Sequence, residues 1–153
     1  MNHDRPPASP RDRILDAASA AFAEHGFAGA RVDEIAARAG VNKAMLYYHV
    51  GDKRALYSAV LMRNFDRVEA AIGRALGVTG SARRRLEALI LALTEMVRAY
   101  PDHPRIVLRE MASGAANLAP EVVARRVEVV RVLRDLRREG MESGECRRLH
   151  PVL

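Results

Sequence analysis

The sequence predicts an all-α protein, with a short helix-turn-helix unit near the N-terminus and longer helices after it. Three observations carry this. Ala, Leu, Arg and Glu dominate and aromatic residues are only 5%, a composition that favours helix. Apolar residues recur at helical spacing in the segments between Gly and Pro breaks. The stretch from Arg31 to Lys53, RVDEIAARAGVNKAMLYYHVGDK, carries two short apolar faces on either side of Gly40. Ile35, Ala36 and Ala39 form the first; Val41, Met45 and Leu46 form the second. Helices this short do not stand alone in water. They must pack, and two packed helices joined by a tight Gly-containing turn make a helix-turn-helix.

The elements follow in order. Residues 1–9, with Pro6 and Pro7, are expected to form a flexible arm. The first helix begins at Ser9 or Pro10, with Ser9 as N-cap and proline at the first helical position. Its stripe is Ile14, Leu15, Ala18, Ala21 and Phe22, and Gly26 is expected to end it. The helix-turn-helix pair occupies about residues 31–50. Gly51-Asp52 breaks the second of those helices and caps a long fourth helix, from about Lys53 to Leu76. Leu61, Phe65, Val68, Ile72 and Leu76 are its inward positions. Ser81 caps a fifth helix with Leu86, Leu89, Ile90, Leu93, Val97 and Tyr100 as its stripe. Pro101 and Pro104 mark a corner, a sixth helix runs from about Pro104 to Ala115, and a seventh from Pro120 to about Ser143. In the seventh, Val122, Val123, Val127, Val129, Val130, Val132, Leu133 and Leu136 cover more than half the circumference. A stripe that broad implies packing on two sides: one against the chain's own core, the other against a further helix or a partner subunit.

Composition narrows the class. At 153 residues the chain is large enough to bury a core. No run reaches the roughly 18 apolar residues of a membrane span. The N-terminus MNHDRPPASPRDR has no apolar stretch of the kind a secretory signal needs. Cys146 is the single cysteine, which excludes an intramolecular disulfide. A cytoplasmic protein is expected. The net charge is +6, but residues 1–54 hold 8 cations and 7 anions. The excess lies downstream, in pairs such as Arg125-Arg126 and Arg137-Arg138, which read as solvated helix faces. A sharper signal is local: among 25 cations only Lys43 and Lys53 are lysines, and both fall in the motif. A compact, flexible ammonium suits a phosphate contact.

The second helix of the pair keeps Asn42, Lys43, Tyr47, Tyr48 and His49 off its apolar face. Polar and aromatic donors on such a helix are what phosphates and base edges require. At these residues the sequence resembles the TetR family of bacterial transcriptional regulators. The likeness begins at Arg13-Ile14-Leu15, Ala17-Ala18, Phe22 and Gly26-Phe27. It continues through Val32, Ile35-Ala36, Ala39-Gly40-Val41, Leu46-Tyr47, His49 and Lys53 to Leu56, in register over roughly a third of the chain.

The resemblance implies a DNA-binding domain over residues 10–56 and a helical ligand-binding and dimerisation domain over 57–153. It implies that Arg31, Asn42, Lys43, Ala44, Tyr47, Tyr48, His49 and Lys53 form the DNA-binding set. Lys43, Tyr48 and His49 would face the major groove and nearby phosphates; Tyr47 and Lys53 would hold the backbone. It further implies a ligand cavity among helices four to seven, with Met62, Phe65, Met96, Tyr100, Arg109 and Met111 as candidates. Arg109 lies in an apolar stretch and needs a partner: an acidic ligand, Glu95 or Glu110. The expected partners are an operator duplex, a small-molecule effector and a second copy of the chain, with no membrane. The final residues, GMESGECRRLHPVL, resemble the loop after the family's seventh helix, where two more helices normally complete the dimer interface. On that likeness the C-terminal domain lacks its last helices; a natural end and a truncation both fit.

Two positions depart from the family pattern. Ala30 and Arg31 stand where a Thr or Ser usually caps the second helix, a loss of about 1 kcal/mol, although Arg31 offers a charged phosphate contact instead. Val50 stands where the family prefers Phe. No catalytic pattern is visible. His3, His25, His49, His103 and His150 lack metal-ligand spacing, and Gly77-Val78-Thr79-Gly80 is too short for a phosphate loop. No enzyme activity, metal or cofactor is expected. The function expected is sequence-specific DNA binding by a ligand-responsive repressor. The alternative is a helical sensor or interaction protein that has lost DNA binding through truncation, which salt-dependent duplex binding would distinguish.

Overall fold

The computed structural model describes residues 9–144. Residues 1–8 of the expected arm and the tail from residue 145, Cys146 included, lie outside the described residues. Seven helices are described: α1 (Pro10–Gly29), α2 (Val32–Ala39), α3 (Lys43–Val50), α4 (Lys53–Leu76), α5 (Ala82–Ala99), α6 (Asp102–Ala112) and α7 (Pro120–Glu142). There is no strand among the described residues.

The helix starts are where short polar side chains meet orphan backbone donors. The Ser9 side chain accepts from the Asp12 amide, Asn42 from Met45, Asp52 from Ala55 and Ser81 from Arg84. The expected caps at Ser9, Asp52 and Ser81 are thus observed. Gly26 does not end α1. Its backbone leaves the helical region (φ 70°, ψ −179°) and the helix resumes to Gly29, so the expected stop is a kink. The sixth helix begins at Asp102, two residues before the expected Pro104. A proline within the first turn removes only an amide that has no helical partner there. It ends at Ala112, because Gly114 and Ala115 both take positive φ (68° and 61°).

The chain divides into two compact units. The first extends to Arg63 and includes Pro101–Ala119; the second takes Asn64–Tyr100 and the described chain from Pro120 onward. This differs from a boundary after residue 56. Leu56, Tyr57, Val60 and Leu61 of α4 are buried in the first unit, and α6 belongs to it as well.

The core of the first unit is formed by Ile14, Leu15 and Phe22 of α1, Ile35 of α2, Leu46 of α3 and the buried α4 residues. Met45, expected on the apolar face of α3, is instead exposed. A two-turn helix presents one row to its core, and Leu46 holds that row; Met45 lies about 100° round the axis.

In the second unit, Val68, Ile72, Ala75, Leu89 and Leu136 form a cluster, with Leu86, Ala88, Leu93, Met96, Val129 and Leu133 packed against it. The α5 members fall at 86, 88, 89, 93 and 96, the face that α5 turns to α4 and α7. Ile90, Val97 and Tyr100, which the sequence placed in that stripe, lie off this face and are exposed, as is Leu76 at the end of α4. The two-sided reading of α7 is matched on its inner side by Val129, Leu133 and Leu136. Val123, Val127 and Val130 are exposed and, with Arg131 and Arg134, line an open groove.

Candidate nucleic-acid interface

The turn that orients α3 rests on Gly40. It adopts the left-handed conformation (φ 66°, ψ 37°) that closes α2, and the Val41 amide donates back to the Ala36 carbonyl at 3.1 Å. From α1, Arg13 Nε donates to the Ala39 carbonyl at 3.2 Å, satisfying another orphan group at the same helix end. Glu24 of α1 accepts both terminal nitrogens of Arg38 at 3.1 Å. These contacts fix α2, and Leu46, with no exposed surface, anchors α3.

Around that anchor the expected DNA-binding residues divide by what already occupies them. Tyr48 is 86% exposed, and its ring meets His49 edge-on at 5.3 Å between centroids. Ala44 is exposed beside it. Tyr47 is 42% exposed, its ring neither core nor free. Asn42 is committed to capping α3 through its Oδ1, 2.7 Å from the Met45 amide. Arg31 is the N-cap residue of α2 without a side-chain cap bond, and its guanidinium lies 3.7 Å from Glu34. The missing cap hydroxyl is therefore not replaced.

The two lysines are differently placed. Lys43 Nζ lies 2.7 Å from Asp33 Oδ1 of α2. The hydrogen bond and the opposite charge hold the Lys43 ammonium above its ordinary pKa and the Asp33 carboxyl below its own. Lys53 Nζ donates to the Ala28 carbonyl at 3.1 Å and sits 5.1 Å from the Phe27 ring centroid. An ammonium has three protons, so this fixes its position without exhausting its donors. Sequence reasoning missed Asp33 as a partner of Lys43, because only the turn at Gly40 brings the two together.

Behind the helix pair lies an aromatic group. Tyr57 meets Phe22 edge-on at 4.7 Å and Phe27 at 5.1 Å. Its hydroxyl donates to Glu110 Oε1 at 2.7 Å, and Asn117 Nδ2 donates to the same oxygen at 3.0 Å. Burial, and then the bond to Glu110, push the Tyr57 hydroxyl above the ordinary tyrosine range. A buried tyrosine needs a hydroxyl partner, so the sequence did hold a signal for this network, although not its members.

The six candidate pocket residues do not share one compact unit. Met62, Arg109 and Met111 belong to the first; Phe65, Met96 and Tyr100 belong to the second. Met62 and Phe65 are half-buried, Met96 packs on the second core, and Met111 is exposed. The Arg67 guanidinium lies 3.6 Å from the Tyr100 ring centroid. Arg109 is held neither by Glu95 nor by Glu110. It donates to the carbonyls of Ala23 and Glu24, at 3.1 and 2.9 Å. Backbone carbonyls on another helix could not be read from the local pattern.

Comparison with known proteins places this geometry. Residues 14–60 match the profile of bacterial regulatory proteins, tetR family. Residues 79–153 match that of the tetracyclin repressor-like, C-terminal domain. The HTH-type transcriptional repressor SCO4008 of Streptomyces coelicolor is 35% identical over 146 residues, covering 92% of this chain and 69% of the relative. The HTH-type transcriptional activator FasR of Mycolicibacterium smegmatis is 32% identical over 139 residues, covering 90% of this chain; the chain spans 64% of that relative's length. Among solved structures, the TetR family transcriptional regulator PfmR from Thermus thermophilus superposes with a TM-score of 0.75 at 27% identity, covering 91% of this chain and 76% of that one. The ketosteroid transcriptional regulator KstR2 of Mycobacterium tuberculosis gives 0.77 at 25% identity, covering 97% and 74%.

Proposed function

The chain belongs to the TetR family of bacterial regulatory proteins, a family of transcriptional regulators and not of enzymes, and from that premise we propose that it binds a specific operator duplex as a ligand-responsive repressor. The observation that carries the reading is α3 itself. Leu46 ties it to the core, while Tyr48, Lys43 and part of Tyr47 and His49 remain outside. A helix held on one side with polar and aromatic groups on the other is built to enter a major groove. Lys43, Tyr47, Lys53 and Arg31 supply phosphate contacts, which position the protein; Tyr48 and His49, with Ala44 and Asn42 beside them, supply contacts to bases, which specify the site.

Two such helices, one from each of two copies, read half-sites about 34–36 Å apart. An effector held in the helical region after α3 changes that spacing through α4, and a differential affinity of a few kcal/mol suffices to shift the equilibrium. Phe65, Met96 and Tyr100, which share the second unit, are the candidates for its contacts. A regulator of this kind works where the chromosome is, in the bacterial cytoplasm. Among the described residues no helix is long and apolar enough to cross a membrane.

The test is enrichment of duplexes from a random pool, followed by anisotropy titrations against the enriched and a scrambled sequence. Binding should weaken steeply between about 50 and 200 mM salt as counterions are released. Tyr48→Ala and His49→Ala should weaken enriched duplex more than scrambled, whereas Lys53→Ala should weaken both alike. Binding that stays flat with salt would leave the chain a helical sensor without DNA recognition.

A further inference from the structure

The helix-turn-helix pair hangs between two stretches of chain. It is entered from the kinked end of α1 and left through Gly51 into the first turns of α4. Both stretches are gripped by adjacent residues of α6, within the same compact unit. Arg109 takes the α1 side. Gly26 interrupts that helix, and a helix end leaves its last carbonyls without helical donors. Arg109 Nε and Nη2 supply donors to two of them, on Ala23 and Glu24. A Cβ placed on Gly26 would lie 3.8 Å from Arg109 Nη1, so the guanidinium rests against the kink itself. Glu110 takes the α4 side. It is 5% exposed and accepts the Tyr57 hydroxyl, while the Tyr57 ring packs on Phe22 and Phe27 either side of the kink.

From this double grip we infer that Arg109 and Glu110 are positioning residues for operator binding. They touch no DNA; they set the frame from which α2 and α3 project. The inference rests on the operator-binding reading above and deepens it, because it names the two α6 side chains that hold the entry and the exit of the helix pair. Chemistry makes the grip demanding. A guanidinium presents a planar fork to two carbonyls, which the point charge of a lysine does not reproduce. Arg109→Lys therefore keeps the charge and loses the geometry.

The experiment compares Arg109→Met, Arg109→Lys, Glu110→Gln and Tyr57→Phe with wild type in the full chain, at a temperature where circular dichroism shows each folded. Arg109→Met and Arg109→Lys should lose operator affinity alike, by about 3- to 30-fold, the range of mutations that act through a coupling network. Scrambled duplex should be bound within about twofold of wild type, because phosphate contacts remain. Tyr57→Phe should fall in the same direction, and Glu110→Gln, which keeps an acceptor for the hydroxyl, should stay closer to wild type. Hydrogen exchange on the free protein supplies a readout that needs no DNA. In Arg109→Met the amides of Ala30 and of residues 45–50 should lose protection while those of α5 and α7 keep theirs. Wild-type affinity in Arg109→Lys, or equal losses on operator and scrambled duplex, would make Arg109 an ordinary phosphate contact. Unchanged exchange in Arg109→Met would overturn the inference whatever the DNA results. Absence of sequence-specific binding in wild type would defeat the operator reading, and the exchange measurement would still decide whether α6 holds the helix pair.

Discussion

On the operator-binding reading proposed above, Lys43 is the residue at which recognition and internal structure compete. Its ammonium is already bound to Asp33 at 2.7 Å, so docking on a phosphate must share or break that pair. Lys43→Ala should lower the slope of log affinity against log salt by about one unit. Asp33→Asn should do the opposite to affinity: it releases the ammonium and removes a negative charge beside it. Operator and scrambled duplex should both bind tighter, by about two- to fivefold, the modest scale of an exposed ion pair. Titration of the two variants across salt concentrations checks this; weaker binding by Asp33→Asn would mean that the pair preorganises Lys43 rather than occupying it. Tyr57 gives a pH test. Burial and the Glu110 bond raise its pKa, so the folded state favours the protonated hydroxyl. That contribution is complete below about pH 10, the ordinary tyrosine value, and is lost as pH rises above it. Denaturant melts of wild type should therefore lose stability above about pH 10, and Tyr57→Phe should show a shallower alkaline loss.

At the scale of the element, helix starts were legible and helix faces less so. Ser9, Asp52 and Ser81 cap their helices because a short polar side chain meets a free amide three residues on, a relation contained within four residues of sequence. Which residues of α5 face inward depends on the angle at which another helix crosses it, and Ile90 and Val97 fall outside the inward face for that reason. The turn at Gly40 joins both scales. Its φ of 66° is one that only glycine adopts freely, while a Cβ there would meet nothing within 4 Å. Gly40→Ala should thus destabilise purely through backbone strain, by about 1–2 kcal/mol. Calorimetry should show Tm lowered by roughly 2–8 °C for a domain of this size. A Tm unchanged within a degree would show that the turn tolerates a side chain in this conformation.

At the scale of the whole molecule, the outer face of α7 is the feature that still needs covering. Val123, Val127 and Val130 line an open groove on the second unit, and exposed apolar surface of this kind drives association. Sedimentation should show self-association that strengthens with concentration. Val127→Glu should shift the distribution towards monomer and weaken operator binding in parallel, because two half-sites need two copies. A wild-type chain that remains monomeric at all concentrations would remove the dimer from the reading.

What the sequence determined by itself about this protein lies in short-range pattern. Helical class, the paired helices around Gly40, the polar outer face of α3 and most caps follow from residues within one or two turns of each other, where spacing alone fixes who is neighbour to whom. The tertiary structure decided the rest. It turned the expected stop at Gly26 into a kink braced by Arg109, which lies 85 residues along the chain from the Glu24 carbonyl it holds. It drew α6 into the first compact unit, paired Lys43 with Asp33 across the turn and gave Tyr57 its acceptor in Glu110. Each of these depends on carbonyls, carboxylates and rings brought together by packing between helices, and no local period in a sequence records which distant group will stand opposite.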